Sequence, residues 1–504
     1  MSRPSLAVSN EADVVVVGAG AAGLYAALCA ARDGASVVLI SATPLAQTAS
    51  YWAQGGLAAA LAADDSVERH LQDTELAGRG LVRPSAAAIL AAEAPDCVRD
   101  LQALGVRFDA DRNGRLALGL EGGHSVRRVV HAGGSATGRR VVRQLSALVA
   151  AEPRILVLEG ARARALWRSG ERCAGLICED GRILAARAVV IGTGGCAAMW
   201  ARTTNPPGSQ GVGALLAHRA GADIADLELL QFHPTAVIGL PGREGFLVTE
   251  AIRGEGATLH DASGERFVEE LLPRDEVSRA IEARLRETGQ RSVGLDMRAV
   301  DPTRFPNVVG ALREAGLDPT RELIPVAPAA HYTMGGIVTD LHAQSTLPGL
   351  YAVGESSCTG LHGANRLASN SLSECFVFAR RAAAHSLTQP APAERPGEGA
   401  KQAELQALAE LPAPPLGDAS TRAALWRNAG ILRTPEGLSE LLDSPHPLVR
   451  AIALCALART ESRGAHQRSD HPQLDPDFDR RHVVICGQRD GAQEPPASEW
   501  QRWD

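Results

Sequence analysis

The stretch DVVVVGAGAAGLYAALCAARDGASVVLIS, residues 13–41, carries the glycine motif GAGAAG between two runs of aliphatic residues. The first run leads directly into the motif, which is followed by an alanine-rich segment and the second run, as in a βαβ unit. In such a unit Gly18 permits a tight turn, Gly20 lets the backbone approach a pyrophosphate, and Gly23 allows close packing of the helix. Because the helix N-terminus then faces the phosphates, the stretch predicts a dinucleotide-binding domain.

Two later segments repeat the pattern of a short apolar strand that ends in glycine. They are AVVIGTGGCA at 188–197 and LPGLYAVGE at 347–355. Three such turns spread over the chain predict a single nucleotide-binding domain assembled from distant segments. Between the second and third turns, at about 230–335, lies a long insertion with polar motifs of its own.

The composition of the 504-residue chain, with 45% hydrophobic residues and 51 glycines, predicts a globular protein of roughly two to four domains. A formal net charge of −7 provides no broad basic surface for nucleic acid. The N-terminus lacks the layout of a secretory signal, and no uncharged apolar run reaches membrane-spanning length. The nine cysteines include no CxxC pair and no metal-ligand spacing. We therefore expect a soluble cytoplasmic protein without a metal site, an iron–sulfur cluster or a disulfide framework.

Eight motifs follow one another over about residues 10–385: GAGAAG, AQGG, GTGG, QFHPT, TEAIRGEGA, PRDEVSRAI, HYTMGG and GESSCTGLHGANRLASNSL. In this order they resemble the succinate dehydrogenase and fumarate reductase flavoprotein family, and within it the soluble branch of L-aspartate oxidases. The resemblance implies an α/β fold: a Rossmann-like FAD-binding domain, interrupted by an α+β capping domain and followed by a C-terminal helical bundle. The implied FAD-binding domain comprises 1–228 and 335–390, the capping domain 229–334, and the linker with the helical domain 391–504.

The resemblance also implies one noncovalently bound FAD per chain. Membrane-bound members tether their flavin through a histidine five residues before the glutamine or glutamate of the QGG or EGG motif, and Ala49 stands at that position here. Ser41 ends the second strand, where an acidic residue normally binds the ribose. Ala42 and Val212 replace the usual lysine and aspartate, so we expect weaker FAD contacts. The residues that match cofactor-binding positions are Gly18, Ala19, Gly20, Ala21, Ala22, Gly23, Ser41, Ser50, Gln54, Gly55, Gly56, Gly194, Glu355, Ser371 and Leu372.

A lone arginine, Arg366, lies among glycines, small residues and hydroxyls in GLHGANRLASNSL, residues 360–372. Small neighbours would let its guanidinium reach a bound carboxylate bidentately, whereas the alternative from the residues alone is a structural arginine that binds loop carbonyls. The resemblance implies that it binds a four-carbon diacid together with Gln231, His233, Thr249 and His331.

Glu121, in LEGGHSVRR at 120–128, matches a glutamate that faces the ammonium of the substrate. Without the resemblance, Glu121 is typical of a solvated loop carboxylate.

The resemblance assigns proton transfer to Arg279, with Glu250 and Arg253 as its relay. Since an arginine pKa lies above roughly 12, Arg279 can act as a base only if its neighbours relay the proton. From spacing alone, Glu250 and Arg253 predict a salt bridge on one face of a helix.

The implied activity is oxidation of L-aspartate to iminoaspartate by hydride transfer to flavin N5. Electrons would pass to dioxygen or fumarate, in the first step of NAD biosynthesis through quinolinate. The expected partners are these small molecules and, transiently, quinolinate synthase, without nucleic acid, a membrane or an iron–sulfur subunit. Two alternatives stay open: a catalytic subunit of fumarate reductase or succinate dehydrogenase, disfavoured by Ala49 and Glu121, and a noncatalytic flavin-binding scaffold or redox sensor, disfavoured by the intact site residues.

The C-terminal part begins with the linker-like sequence LTQPAPAERPGEGA at 387–400, rich in proline, alanine and glutamate. The segment STRAALWRNAGILRTPEGLSELL at 420–442 predicts helices of a small bundle. Within it, Thr434 is expected to cap a helix whose first residue is Pro435.

Overall fold

The computed structural model describes residues 8–44, 48–391, 400–487 and 498–504, so most of the predicted linker lies outside the described residues. The strands of the described part are β1 (Val8–Val17), β2 (Val37–Ser41), β3 (Leu57–Ala58), β4 (Leu118–Gly119), β5 (Val129–Val130), β6 (Ile155–Glu159), β7 (Ala163–Ser169), β8 (Arg172–Cys178), β9 (Ile183–Ile191), β10 (Ile224–Ala225), β11 (Leu230–Val237), β12 (Thr258–His260), β13 (Val293–Asp296), β14 (Ile324–Thr333), β15 (Gly336–Val338), β16 (Leu350–Ala352), β17 (Ser357–Cys358), β18 (Arg481–Ile485) and β19 (Ser498–Arg502). Its α-helices are α1 (Ala21–Arg32), α2 (Val67–Ala77), α3 (Pro84–Ala103), α4 (Thr137–Ala151), α5 (Val212–Arg219), α6 (Glu250–Gly254), α7 (Arg274–Thr288), α8 (Pro306–Glu314), α9 (Asn370–Ser386), α10 (Ala400–Glu410), α11 (Ala419–Asn428), α12 (Pro435–Leu442) and α13 (Pro447–Ala458).

The predicted βαβ unit is present as β1, α1 and β2, and the glycines of its turn are required by close backbone contacts. Gly18 has a φ of +106°, and a Cβ on it would lie 2.4 Å from the carbonyl oxygen of Gly192. A Cβ on Gly23 would lie 2.0 Å from the carbonyl oxygen of Gly18. Side chains would therefore push α1 away from the turn, and the N-terminus of the helix would no longer face a phosphate.

The nucleotide-binding sheet has the strand order β6-β2-β1-β9-β8-β7, and β16 also pairs with β9. Strand β1 runs parallel to β9 along one edge of β9. On the opposite edge, β8 pairs with residues 183–185 and β16 with residues 189–191. The carboxyl ends of β1, β9 and β16 therefore lie side by side, and the distant glycine turns form one domain, which confirms the predicted fold class.

The cap is a four-stranded antiparallel sheet of order β11-β14-β13-β12 with helices α6, α7 and α8. Its apolar side chains form a core of their own, which includes Val248, Ile252, Ile281 and Leu295. This α+β unit is inserted between β10 and β15 of the remaining fold.

The C-terminal region contains α10 to α13, which confirms the predicted helices. The Oγ1 of Thr434 accepts a hydrogen bond from the N–H of Gly437 at 3.1 Å, so Thr434 caps α12 as expected. Two strands that the sequence did not predict follow, in a five-stranded sheet of order β17-β15-β10-β18-β19. Because β18 pairs with β10, and β10 also pairs with β15, the C-terminal region is joined directly to the connection before the cap and through β10 to the connection after it.

A group of buried charges, here called the hinge cluster, joins the segment between β10 and β11 to the loop after α13. It comprises Asp226, Glu228, Arg459, Glu461 and Arg463. Arg459 Nε donates to Glu228 at 2.7 Å, its second nitrogen donates to Glu461 at 3.1 Å, and its third donates to a backbone carbonyl at 3.0 Å. Arg463 Nε donates to Glu461 at 2.8 Å. Each of the five side chains is at most 4% exposed, so pairing compensates their desolvation.

Across the described ranges, no helix combines the length and the apolar character that crossing a membrane would need.

Candidate active site

One wall of the nucleotide site is formed by the turn after β1 and the loop at 48–54. The Oγ of Ser50 accepts a hydrogen bond from the N–H of Ala21 at 3.1 Å, and a Cβ on Gly20 would lie 3.3 Å from this oxygen. The Oγ1 of Thr48 and the Oε1 of Gln54 are buried and have no hydrogen-bond partner among the described residues. Unused buried polar atoms beside a glycine cradle fit FAD, which carries both hydrogen-bond donors and acceptors.

The QGG motif connects this wall to the cap and to α9. Gln54 Nε2 donates to the carbonyl oxygen of Leu247, in the loop before α6, at 2.8 Å. A Cβ on Gly55 would lie 3.3 Å from the Oγ of Ser369, and a Cβ on Gly56 would lie 2.3 Å from the carbonyl oxygen of Val130. The predicted residues Ser371 and Leu372 lie in the first turn of α9, whose N-terminus can stabilise negative charge.

The opposite wall is formed by the loops after β9 and β16. Gly194 has a φ of +81°, and its N–H donates to the Oγ of Ser356 at 2.9 Å. The carboxylate of Glu355 accepts a hydrogen bond from the N–H of Thr333 at 2.9 Å, and burial raises the pKa of Glu355 to about 7. Glu355 can therefore donate or accept a hydrogen bond at neutral pH, which suits the predicted contact with a cofactor hydroxyl.

The hydroxyl of Ser41, which was predicted to contact the ribose, already forms a hydrogen bond within the protein. The hydroxyl of Ser41 donates to the carbonyl oxygen of Thr43 at 2.5 Å. Val212 opens α5 and packs against the hydrophobic core. A ribose contact at Ser41 would have to compete with this bond, while Ala42 and Val212 offer no polar side chain, so weaker FAD binding stays a prediction.

Arg366 is buried in the loop before α9. Its guanidinium donates to the Oε1 of Gln231 at 3.1 Å and to the Oγ of Ser371 at 3.2 Å, and it lies 4.7 Å from the centre of the Tyr332 ring. Its Nε is buried and has no partner within the described ranges. Burial, with a contribution from Arg274, lowers the pKa of Arg366 to about 10. A buried guanidinium with an unused donor is suited to an anionic ligand.

The amide of Gln231 fills all four of its hydrogen-bonding positions. Its Oε1 accepts from Arg274 and from Arg366, each at 3.1 Å. Its Nε2 donates to the Oδ1 of Asn365 at 2.8 Å and to the carbonyl oxygen of Arg366 at 2.9 Å. Gln231, predicted to bind substrate, therefore orients two guanidinium groups.

Glu250 is the centre of a buried chain of charges. Its Oε2 accepts a hydrogen bond from the Nε of Arg274 at 2.7 Å and lies 3.7 Å from Arg253, while its Oε1 accepts from the N–H of Gly122 at 3.0 Å. Thr249, another predicted substrate contact, is buried directly before this glutamate. The structure thus brings together the predicted pair Glu250 and Arg253, with Arg274 as a third member.

Arg279 is not brought to this chain of charges. Its side chain is 37% exposed and donates to Asp275 at 3.3 Å and to the carbonyl oxygen of Gly464 at 3.4 Å. Both arginines belong to α7, and five residues along a helix rotate a side chain by about 140° around its axis. The motif PRDEVSRAI therefore supplies Arg274, not Arg279, to the buried site.

His233 and His331 face each other with ring centres 5.1 Å apart. The N–H of Thr235 donates to the Nδ1 of His233 at 3.3 Å, which leaves the ring proton on Nε2. The Nδ1 of His331 contacts the hydroxyl of Thr204 at 2.7 Å. Burial and then Arg274 lower the pKa of both histidines well below the usual value. Both rings are therefore neutral at pH 7, and each can donate one N–H to a carboxylate.

Glu121 is buried, unlike the solvated loop carboxylate that its sequence alone would favour. Its Oε2 accepts a hydrogen bond from the Oγ of Ser369 at 2.6 Å, and its Oε1 lies 3.3 Å from the Nε2 of His131. Burial opposes ionisation, but His131 and Ser369 outweigh it and lower the pKa of Glu121 to about 2. The group is an anion at neutral pH, and its remaining lone pairs can accept further hydrogen bonds.

Arg274, His131 and Ser369 are the neighbours that sequence reasoning missed. Arg274 stands in a motif already identified, and helical geometry indicates from the sequence only that its two arginines point in different directions. His131 and Ser369 lie 10 and 248 residues from Glu121, and nothing in their local sequence indicates the contact.

Comparisons with known proteins agree with this geometry. Residues 13–372 match the model of an FAD-binding domain, and residues 447–499 match that of the C-terminal part of fumarate reductase flavoproteins. The L-aspartate oxidase of Streptomyces coelicolor is 42% identical over 96% of this chain and 93% of its own length. That of Caulobacter vibrioides is 44% identical over 95% and 97%. A variant of FrdA from E. coli quinol fumarate reductase has a TM-score of 0.89 at 29% identity, covering 98% of this chain and 97% of the other. Mycobacterium smegmatis Sdh1 has a TM-score of 0.85 at 30% identity, covering 99% and 95%.

Proposed function

Because this chain belongs to the L-aspartate oxidases of the succinate dehydrogenase and fumarate reductase flavoprotein family, we infer that its buried polar site oxidises L-aspartate. The protein is a flavin-dependent oxidoreductase that converts L-aspartate to iminoaspartate, passes electrons to dioxygen or fumarate, and begins NAD biosynthesis through quinolinate. The observation that carries this conclusion is the combination, within one buried site, of the Arg366 Nε, which has no partner among the described residues, with the ionised Glu121. Such a site matches a substrate with two carboxylates and one ammonium.

FAD, when bound, supplies the acceptor at N5 for the hydride that leaves the substrate Cα. We propose that the GAGAAG backbone at 18–23 holds its phosphates and that Ser50, Gln54 and Glu355 contact it through their polar atoms. The N-terminal turn of α9 would favour negative charge on the flavin. Since Ala49 has no nucleophile, binding is proposed to be noncovalent.

The substrate carboxylates are proposed to bind Arg366 and the two neutral histidines, His233 and His331. Because Arg366 and His233 are buried, these contacts are much stronger than on the surface. Glu121 accepts hydrogen bonds from the ammonium and so fixes which end of the molecule carries the amine. Thr249 adds a polar contact, and Gln231 keeps Arg366 in place.

Proton transfer is proposed to use Arg274, in place of Arg279. A proton held on Arg274 can pass from its Nε to the Oε2 of Glu250, its acceptor at 2.7 Å. Arg253 stabilises the same carboxylate from 3.7 Å. Once Arg274 has passed its proton to Glu250, it can take the proton that the substrate ammonium loses as the imine forms, although its own pKa is high.

The test is to mix anaerobic, FAD-loaded protein with L-aspartate or with succinate and to follow flavin bleaching. Aspartate is expected to bleach the flavin, and Glu121→Gln should slow this by roughly 10- to 100-fold, the effect of a lost hydrogen bond to a charged group. Reoxidation by fumarate should persist in this variant, because fumarate has no amine. Glu314→Gln, a surface change, is the matched control.

Bleaching by succinate alone would contradict the proposal and assign the protein to the dehydrogenase branch. Loss of both reactions in Glu121→Gln would show that this residue supports the site as a whole and does not recognise the amine.

We further propose that the protein works in the cytoplasm, without an iron–sulfur subunit, and transfers unstable iminoaspartate through transient contact with quinolinate synthase. The division into 1–228 with 335–390, 229–334 and 391–504 is proposed on the separate sheets of the nucleotide-binding and capping units.

A further inference from the structure

Ser369 has a backbone conformation that is unfavourable for serine. Its φ is +62°, in the left-handed region, and it directly precedes α9 without capping that helix. A residue with a Cβ loses free energy there, whereas glycine would not. A serine in this place therefore indicates that its hydroxyl is needed.

The hydroxyl of Ser369 connects two functional loops. It accepts a hydrogen bond from the N–H of Gly56 at 3.1 Å and lies 2.6 Å from the Oε2 of Glu121. Since an amide N–H can only donate, the hydroxyl proton is free to point to Glu121. This direction is the one that stabilises an ionised carboxylate, and a charge-assisted bond of this kind is short.

The bond from Ser369 is the closer of the two that hold Glu121, since the Nε2 of His131 lies 3.3 Å away. One contact on each oxygen fixes the plane of the carboxylate and leaves lone pairs for an ammonium group. The left-handed φ places the hydroxyl between the Glu121 loop and the QGG motif.

We propose that Ser369 is a positioning residue for amine recognition, which orients Glu121 so that the site prefers L-aspartate to dicarboxylates without an amine. This inference rests on the proposed role of Glu121. A residue that only joins loops would affect all substrates alike, whereas Ser369 is expected to matter for substrates with an ammonium group.

Ser369→Gly removes the hydroxyl and suits the left-handed backbone, so the gain in backbone freedom from strain partly offsets the loss of the hydrogen bonds to Gly56 and Glu121, and the variant is expected to fold. Its kcat/KM for L-aspartate should fall by about tenfold, mainly through KM, because a ground-state contact to the amine is misplaced. Its kinetics of fumarate reduction should change less than about twofold by the same reasoning. Ser373→Ala is the matched control, since its hydroxyl donates to the carbonyl oxygen of Ala58 at 2.7 Å and does not contact Glu121.

Three measurements separate the possible results. Thermal unfolding and the Kd for FAD report any loss of the contact to Gly56, independently of turnover. A double-mutant cycle with Glu121→Gln should show that Ser369→Gly costs nothing more for aspartate once the carboxylate is gone. Equal losses for aspartate and fumarate, or additive losses in the cycle, would overturn the inference.

The outcome for Glu121→Gln alone distinguishes this inference from the proposed function. If that variant keeps the parent's kcat/KM for L-aspartate, the proposed role of Glu121 is wrong, and the inference about Ser369 is wrong as well. If kcat/KM for L-aspartate falls in Glu121→Gln but is unchanged in Ser369→Gly, only the inference about Ser369 is wrong.

Discussion

The substrate site and the hinge cluster both bury several charges, but they use their arginines differently. In the hinge cluster, each guanidinium nitrogen of Arg459 donates a hydrogen bond, to Glu228, to Glu461 or to a backbone carbonyl. Burial opposes its charge, yet Glu228 and Asp226 raise its pKa. In the substrate site, the Nε of Arg366 has no partner in the part of the chain that the structure describes, and burial lowers the pKa of Arg366 to about 10. The saturated Arg459 thus fixes two parts of the fold, whereas the donor of Arg366 that has no partner among the described residues is available to a ligand.

The largest effect that tests this comparison is expected at α7. Arg274→Leu should lower both aspartate oxidation and fumarate reduction by about a thousandfold, since it removes the proposed proton-transfer group. Arg279→Leu is the control on the same helix and should change kcat by less than about threefold, as for other partly exposed positions. The steady-state kcat values for aspartate oxidation and for fumarate reduction are measured in both variants. A greater loss in Arg279→Leu would restore Arg279 to the proton-transfer role.

A second test compares stability at the two clusters. Arg459→Met should lower the free energy of unfolding by about 3–5 kcal/mol, because it leaves buried carboxylates without their partner. Arg366→Leu should leave the free energy of unfolding unchanged or higher, since a buried charge with unused donors is costly to desolvate. Chemical denaturation of the FAD-free proteins at pH 7 provides the measurement. Similar losses in both variants would mean that the arginine of the substrate site is also structural.

The smallest expected effect concerns the two histidines. Since the pKa of His233 is lowered well below its usual value by burial and then by Arg274, the ring stays neutral down to acid pH, and its protonation should not contribute to the pH dependence of the Kd for succinate between pH 6 and 8. In Arg274→Gln the pKa of His233 should rise towards the usual value. Protonation of the ring as pH falls would then strengthen succinate binding a few-fold. Succinate titrations followed by flavin absorbance compare the wild type with Arg274→Gln, because the titration of Glu355, with a pKa of about 7, is common to both proteins. The same pH dependence in the two proteins would contradict the assignment.

The sequence predicted best what depends on neighbouring residues. The turn at 18–23 forms as expected because it connects β1 to α1 within one βαβ unit, and its tightest contact, from Gly23 to the carbonyl oxygen of Gly18, spans only five residues. Thr434 caps α12 because a capping contact spans only three residues. The resemblance also placed Arg366, His233 and His331 in one site, since the loops of the fold bring the motifs together.

Contacts between distant residues were beyond prediction. Choosing between Arg274 and Arg279 required the direction in which α7 faces the cap. The bond from Ser369 to Glu121 joins residues 248 positions apart. Strands β18 and β19 were missed because the partner of β18 in the central part of the chain, β10, is a two-residue strand more than 250 residues earlier.

Strand β9 also has a consequence for the order of events during synthesis. Residues 189–191 pair with β1 on one edge, and their pairing on the other edge forms only after residues 350–352 have been translated. At about 5–20 residues per second, a ribosome needs on the order of 10–30 s to make the intervening chain. Throughout that interval the nascent protein exposes an unpaired aliphatic edge, of the kind that invites misassembly. The loop that carries Glu355 follows β16, so the cofactor can be enclosed only after roughly the first 350 residues have been translated.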